Sequence, residues 1–272
     1  MEHATPGQPL NPTGEKGDAT ELHLGGMTWT EARDSLRTDT IILLPTGAIE
    51  AHGPHLPLTT DVLIAEELSL RAALALRRRR DQALILPALS YGVSHVGGCF
   101  PGTSPIPAAA LSDSIVSVVR SVARWGPRRF CIVNAHLEPA HVNAVIDGVE
   151  AARRESGAEI AFPDKREERW AAQLSEEFRR GARHAGSYET SLILAAHPAW
   201  VRTDLLDDLP PVWIDLPARL KAGAATFAEA GGVDGYFGNP SAASAEEGER
   251  LFTALTTMVL TAIDELPRPA RD

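Results

Sequence analysis

The chain alternates short, continuous apolar runs with longer segments in which apolar residues recur at helical spacing. Four runs predict buried β-strands, over residues 41–44, 83–86, 130–133 and 159–162. The intervening segments predict helices, over residues 62–80, 111–125 and 139–154. This alternation of strands and helices predicts an α/β fold, with a mainly parallel central sheet and helices on both of its faces.

Both ends of the chain fit this plan. Residues 1–22 are rich in Pro, Gly, Thr and Glu and have no apolar period, which predicts a flexible N-terminal tail. Residues 23–272 contain no clear linker or repeat, which predicts one domain. Further helices are predicted over residues 167–180 and 190–196. The pattern of Ser244 and Glu247 is typical of a capping box, and the last helix is predicted to run from there to about residue 266.

Composition narrows the classes of function. The 272 residues include 26 Lys and Arg against 36 Asp and Glu, a net charge of −10, so nucleic-acid binding is not expected. No run approaches the roughly 18 apolar residues of a membrane helix, and the first residues lack the apolar core of a secretory signal. Cys99 and Cys131 form neither a disulfide framework nor a CxxC motif. We therefore expect a cytoplasmic protein with no nucleic-acid or membrane partner.

Carboxylate and imidazole side chains follow two of the predicted strands. Glu50, His52 and Asp61 come after the first strand. His136 and Glu138 come after the third. Each Glu–His pair is spaced by two residues, which places both side chains on one face of an extended segment. Ligands bind at the carboxyl ends of strands in open parallel sheets, so the two pairs predict a site for two divalent cations with Asp61 as the bridge.

A third pair, His184 and Glu189, opens the helix predicted at residues 190–196. Single histidines are more often ordinary polar residues than ligands. His23, His141 and His197 are therefore assigned structural or surface roles.

Two other segments leave alternatives open. The glycine-rich stretch 91–103 is either a loop that lets the backbone approach a ligand or simple turn chemistry. The run Arg77–Arg80 is either an anion-binding patch or a solvated helix C-terminus, which the helix dipole favours.

The segment 43–61, LLPTGAIEAHGPHLPLTTD, resembles the signature of the creatininase (creatinine amidohydrolase) family. Four further blocks are similar to blocks of that family and occur in the same order: FPGT, VNAHLE, HAGSYETSLILA and GVDGYFGNPSAASAEEGERLF. The resemblance covers about residues 27–263.

The resemblance implies a three-layer α/β/α sandwich, commonly assembled as a homo-oligomer. It implies an enzyme that hydrolyses an amide or cyclic-amide C–N bond of a small molecule with a hydroxide activated by two metal ions. Zn²⁺, Mn²⁺ and Fe²⁺ all accept mixed nitrogen and oxygen ligands, so the metal stays open.

The resemblance also implies roles for individual residues. Glu50, Asp61 and His136 would bind one metal ion. His52, Asp61 and Glu138 would bind the other.

His184 and Glu189 match the catalytic pair of the family, with Glu189 as a metal ligand remaining an alternative. His95, Gly102 and Thr103 are assigned to the substrate loop.

Some positions depart from the family pattern. Gly97 stands where the family often has a histidine, and the tryptophan-bearing loop that closes over creatinine is not recognisable, with Trp170 and Trp213 as the candidates. His55 is assigned to the neighbouring Gly-Pro turn or to the surroundings of the metal site. The identity of the substrate therefore stays open. The alternatives are a creatininase-like peptidase acting on a modified peptide or natural-product precursor, and a metal-binding pseudoenzyme.

Overall fold

The computed structural model describes residues 20–268 of the chain. Four parallel strands form one sheet in the order β2-β1-β3-β4. They lie where the apolar runs predict them, at β1 (Ile41–Thr46), β2 (Ala83–Ile85), β3 (Arg129–Asn134) and β4 (Glu159–Ala161). The α/β class with a parallel sheet is confirmed.

The helices of the described part have these bounds: α1 (Trp29–Ser35), α2 (Thr60–Arg78), α3 (Ala108–Ala123), α4 (Pro139–Ser156), α5 (Glu168–Ala171), α6 (Glu176–Arg179), α7 (Ser187–Ala196), α8 (Leu216–Lys221), α9 (Phe227–Ala230) and α10 (Ala245–Asp264). Within residues 20–268, no helix is both long enough and apolar enough to cross a membrane.

The sheet is covered on both faces, as the continuous apolar runs require. Successive residues of β1 point to opposite faces. Ile41 and Leu43 pack into a core with residues of α2, α7 and α10. Ile42 and Leu44 pack into a second core with residues of α3 and α4. The molecule is therefore a three-layer α/β/α sandwich, as predicted.

The strand order creates a switch point beside β1. The connection through α2 leads from β1 to β2 on one side, whereas β3 lies on the other side of β1 and leads through α4 to β4. Connections leaving neighbouring strands in opposite directions open a crevice at the carboxyl ends of those strands. The loops after β1 and β3 line this crevice.

Two local predictions differ from the structure. The single helix predicted over residues 167–180 was wrong, because two short helices, α5 and α6, occupy this stretch. Ser175 interrupts it by taking an extended backbone and accepting a hydrogen bond from the backbone N–H of Phe178 at its side chain. Residues 20–22 of the predicted tail form a short 3-10 helix, since Leu22 is buried in the core beside α2. Residues 1–19 lie outside the described part.

The close contact of α10 with α7 depends on Gly248. A Cβ atom at this position would collide with the backbone carbonyl oxygen of Ser191 in α7. We expect Gly248→Ala to lower the free energy of unfolding by about 1–3 kcal/mol, because the two helices must move apart. Urea unfolding measures the change. Gly98→Ala is the control, since an added methyl there meets nothing within 4 Å. Equal stability of the two variants would contradict the tight α7–α10 packing.

Candidate metal centre

Segments following β1 and β3 bring five polar side chains together at the switch point. The loop after β1 carries Glu50 and His52, and the first turn of α2 carries Asp61. The turn between β3 and α4 carries His136 and Glu138. The first four are at most 4% exposed, whereas Glu138 is half-buried. Burial of so many ionisable groups is costly without compensating charge.

The segment that enters α7 completes the cluster. His184 and Glu189 are both buried. Glu189 lies in the first turn of α7, where the helix dipole favours a carboxylate. Its Oε2 accepts a hydrogen bond from the backbone N–H of Ala185 at 2.6 Å. Ala185 adopts a left-handed backbone with φ of 50°, which directs this N–H toward the carboxylate.

His136 is held in one tautomer by the backbone. Its Nε2–H donates to the carbonyl oxygen of Val93 at 2.9 Å. The Nδ1 atom therefore faces the cluster with its lone pair when the ring is neutral. Nδ1 lies 3.0 Å from Oδ2 of Asp61 and 3.3 Å from Oε2 of Glu50. This anchoring through the far ring nitrogen is typical of metal-binding histidines.

His52 and His184 are anchored in the same way. Nδ1–H of His52 donates to the carbonyl oxygen of Glu50 at 3.0 Å, and Nε2–H of His184 donates to that of Ala51 at 2.9 Å. The free Nε2 of His52 lies 3.7 Å from Oε2 of Glu189. The free Nδ1 of His184 lies 3.8 Å from Oε2 of Glu50. In their neutral forms, the three histidines thus present lone pairs to one acidic centre.

Asp61 lies between the two sides of this centre. Its Oδ1 is 3.6 Å from Nε2 of His52, and its Oδ2 is 3.0 Å from Nδ1 of His136. Gly47 allows this position, because a Cβ atom on that residue would lie 2.9 Å from Cβ of Asp61.

The donor set fits divalent cations. Oε2 of Glu50, Nε2 of His52 and Oδ2 of Asp61 are buried and have no hydrogen-bond partner within the described chain. Unsatisfied buried acceptors that face one another are stabilised by a shared cation. Three groups have donor atoms within 4.8 Å of one another: Glu50, His136 and Glu138; His52, Asp61 and Glu189; Glu50, His52 and His184. Nitrogen and oxygen donors without thiolate suit Zn²⁺, Mn²⁺ or Fe²⁺.

These groups of donor atoms differ from the two sets of metal ligands that the family resemblance implies. Glu138 lies with Glu50 and His136, whereas Glu189 lies with His52 and Asp61. Glu138 also accepts a hydrogen bond from the backbone N–H of Val96 at 3.1 Å, which holds it on the His136 side.

Burial and neighbouring charges shift the pKa values of the side chains in the cluster. Burial lowers the pKa of His136 and His52, but the neighbouring carboxylates outweigh burial and raise the values to about 10 and about 9. Burial likewise opposes ionisation of Asp61, yet the two histidines hold its pKa well below the ordinary range. Burial raises the pKa of Glu189 to about 7 and depresses that of His184 far below its ordinary value. Positive charge is thus favoured between the carboxylates.

His141 supports Val93, whose carbonyl oxygen accepts the hydrogen bond from His136. His141 accepts a hydrogen bond from the backbone N–H of Val93 at 3.3 Å and faces Oδ1 of Asn134 at 3.0 Å through its Nε2. The side-chain amide of Asn134 also donates to the carbonyl oxygen of His136 at 2.6 Å. Burial lowers the pKa of His141 to about 2, so the ring stays neutral. A structural role was predicted for His141, but its link to His136 through Val93 was not.

Residues of the glycine-rich stretch 91–103 contact the carboxylate of Glu50. Ser94 donates its hydroxyl to Oε1 of Glu50 at 2.7 Å. Gly97 packs so closely that a Cβ atom there would lie 2.6 Å from the same oxygen. A glycine is therefore needed at position 97, where the sequence departs from the pattern of the family.

The three residues predicted for the substrate loop belong to none of the groups of donor atoms and do not line the cavity beside them. Thr103 accepts a hydrogen bond from the backbone N–H of Ala51 at 3.0 Å and so fixes the residue that anchors His184. Gly102 has φ of 91° and packs against Leu58. His95 is exposed. Their contact with substrate stays a prediction.

His55 lies in none of the three groups of donor atoms. Its Nε2 is 2.9 Å from the hydroxyl of Thr190, and its ring packs against Gly53. Burial lowers its pKa to about 4, so the ring is neutral.

Glu177 is a buried carboxylate that the sequence did not single out. Oε1 accepts from the backbone N–H of Tyr188 at 2.9 Å, and Oε2 accepts from that of Asn239 at 2.7 Å. Gly186 and Gly238 leave room for it. Glu177 therefore joins α6 to the start of α7 and to the C-terminal glycine-rich loop. Because the segment around Glu177 is polar, nothing in the sequence distinguishes this glutamate from one that faces solvent.

A cavity of about 120 Å³ opens onto the cluster. Besides the carboxylates and histidines, its walls include two arginines, Arg166 and Arg183. Neither candidate tryptophan of the substrate loop lines it. Trp170 is buried in the core beside α10, and Trp213 is 52% exposed.

Fold and cluster together define a class, that of α/β proteins with a buried carboxylate–imidazole centre able to bind divalent cations. The chain belongs to the creatininase family, whose model, described as creatinine amidohydrolase, matches residues 25–263. It is therefore a hydrolase of that family, as predicted from the motifs.

Known proteins resemble the chain over most of its length. The creatinine amidohydrolase of Pseudomonas putida is 30% identical, over 90% of this chain and 96% of that protein. The mycofactocin precursor peptide peptidase of Mycobacterium tuberculosis (strain CDC 1551 / Oshkosh) is 32% identical, over 89% of this chain and 87% of that protein. A solved mutant creatininase of Zn–Zn type superposes with a TM-score of 0.72 at 27% identity, over 90% of this chain and 97% of that one.

The raised pKa of His136 predicts how the metal-free protein responds to pH. Protonation of this ring stabilises the folded chain fully below its unfolded pKa of about 6.5, and this stabilisation is lost as pH rises toward the folded pKa of about 10. We expect the melting temperature of chelator-treated protein to fall between about pH 7 and pH 9.5. A metal-loaded sample should fall less, because a cation then replaces the proton. His136→Gln should flatten the metal-free profile. A metal-free melting temperature that rises over this interval would contradict the assignment.

Proposed function

We propose that the chain is an amidohydrolase that uses two divalent metal ions to cleave an amide or cyclic-amide C–N bond of a small molecule. The observation that carries the proposal is the position of Asp61, which turns one carboxylate oxygen toward His52 and the other toward His136. A carboxylate between two imidazole lone pairs is arranged to bridge two cations.

The groups of donor atoms support a specific ligand set. Glu50, His136 and Glu138 would hold the first cation, with Oδ2 of Asp61. His52 and Glu189 would hold the second, with Oδ1 of Asp61. This set contains the five predicted ligands and favours the alternative in which Glu189 is also a ligand. The metal is one of Zn²⁺, Mn²⁺ and Fe²⁺, and solved creatininases include a Zn–Zn form and one described as Mn.

When bound, two metal ions would lower the pKa of a water molecule and would polarise the amide carbonyl. The residues of the chain provide orientation and proton transfer. Glu50, Asp61 and Glu189 would supply the negative charge that balances the cations. His184 keeps Nδ1 unprotonated toward the cluster while Nε2–H is bound to the carbonyl of Ala51. We assign the transfer of a proton from water to the leaving nitrogen to Glu189, whose pKa burial raises to about 7, with His184 as the alternative proton acceptor.

A peptidase function is the second candidate. Relatives at similar identity include both a creatinine amidohydrolase and a peptidase acting on the mycofactocin precursor peptide. The cavity walls contain no tryptophan among the described residues, and this favours a substrate other than creatinine. The pseudoenzyme alternative is disfavoured, because His184 and Glu189, the pair suited to proton transfer, are retained beside the complete set of donor atoms. We also propose that the protein acts in the cytoplasm and assembles as a homo-oligomer.

The bridging position of Asp61 leads to a direct test. We expect Asp61→Ala to lose both metal ions and to lower turnover at least about a hundredfold, because one substitution removes a ligand from each cation. Metal content by mass spectrometry and a screen of creatinine, other lactams and short peptides measure the two effects. Asp234→Ala, at an exposed position, is the control and should keep two ions per chain. Retention of both ions by the Asp61 variant would contradict bridging.

Glu189→Gln separates the two roles of that residue. If Glu189 is a ligand, the variant loses the ion on the His52 side and holds about one per chain, because an amide is a weak donor for these cations. The exposed Glu176→Gln serves as the matched control. Full metal content with no turnover would instead assign Glu189 to proton transfer.

A further inference from the structure

Two guanidinium groups line the cavity over the metal centre and belong to no role described so far. Arg166 lies in the loop between β4 and α5, and Arg183 directly precedes His184. Both are half-buried. The chain has a net charge of −10, yet two positive side chains lie together in the wall of this small cavity.

Asp164 orients the guanidinium of Arg166 but leaves one of its amino groups free. Its Nε lies 3.0 Å from both carboxylate oxygens of Asp164, and its Nη2 lies 2.8 Å from Oδ2. This fork fixes the plane of the guanidinium. Its Nη1 has no hydrogen-bond partner within residues 20–268.

Arg183 is held by the backbone and by an aromatic ring. Its Nε–H donates to the carbonyl oxygen of Phe178 at 2.8 Å, and its guanidinium lies 4.6 Å from the centre of the Phe178 ring. Its Nη1 and Nη2 form no hydrogen bond or ion pair with the described residues. The guanidinium is therefore held in place with two free amino groups. The carboxylates of Asp215 and Asp164 act on its charge from beyond ion-pair distance.

These arginines do not neutralise the acidic cluster. Within the described chain, neither guanidinium comes within 4.0 Å of a carboxylate oxygen of Glu50, Asp61 or Glu189; the one ion pair of the two is that between Arg166 and Asp164. Two like charges also repel each other across the cavity. An anionic ligand between them would remove this repulsion and use the free N–H groups.

The rest of the wall is apolar. It includes Val96, Leu137, Leu216, Leu220 and Phe227. A ligand that fills the cavity would place apolar atoms against these side chains and a negative group against the arginines.

We propose that Arg166 and Arg183 bind a free carboxylate of the substrate, so that the enzyme acts on amides that combine an apolar body with a carboxylate group. The inference rests on the proposed function, since the metal centre defines the position of the scissile bond. Arg183 supplies two free amino groups that can bind a carboxylate side by side, and Arg166 supplies a third donor.

The test uses probes that reach the metal centre without needing the natural substrate. Hydroxamic acids chelate the metal, and tethers of several lengths end in either a carboxylate or the matched carboxamide. Titration calorimetry on zinc-loaded protein gives the ratio of the two affinities at each length. For the best tether we expect the carboxylate to bind about tenfold or more tightly.

Variants assign the preference to the two arginines. Arg183→Met and Arg166→Met should each reduce the affinity ratio toward one, and Arg183→Lys should keep part of it, because the charge remains while the planar fork is lost. Arg128→Met is the matched control, since Arg128 also donates to a backbone carbonyl but does not line this cavity. General damage to the fold weakens both probes equally and leaves the ratio unchanged.

The outcomes separate the two proposals. A ratio near one at every tether length in the unchanged protein overturns carboxylate recognition while leaving the metal centre supported. A ratio that persists in both methionine variants overturns the assignment to these arginines. A protein that takes up no metal and binds no hydroxamate overturns the proposed function, and this inference with it.

Discussion

Compensation of buried negative charge is the constraint on which the site depends. Glu50, Asp61 and Glu189 lie together at the carboxyl ends of β1 and β3 and are at most 3% exposed. Carboxylates so placed are stable only beside positive charge. The neighbouring histidines supply it when protonated, which explains their raised pKa values, and divalent cations would supply it more completely.

The surrounding backbone keeps the centre open to cations. Three histidines each donate one ring N–H to a main-chain carbonyl oxygen, so the other nitrogen is directed inward as an acceptor. Gly47 and Gly97 allow the chain to pass close to Asp61 and Glu50, where any side chain would push the carboxylates away. Preorganisation of this kind lets the ligands keep their positions whether protons or metal ions balance their charge.

Much of the fold and part of the site could be predicted from the residues. Buried parallel strands read as continuous apolar runs, and the His–Glu pairs directly follow two of them. The break at Ser175 was missed, because a single capping serine is a weak signal in a polar stretch. The approach of Glu189 to His52 could not be predicted, since it depends on how α7 packs against the sheet. The roles of Val93 and Ala51 are carried by main-chain carbonyls, which have no residue signature.

The ligand-bearing segments come from three well-separated parts of the chain, after β1, after β3 and at the start of α7. Cations bound by all three would act as a reversible cross-link between them, comparable in topology to a network of disulfides. Metal binding would then contribute to folding as well as to chemistry, because it closes long loops that the unfolded chain leaves open. Scarcity of metal would lower the amount of folded enzyme together with its activity.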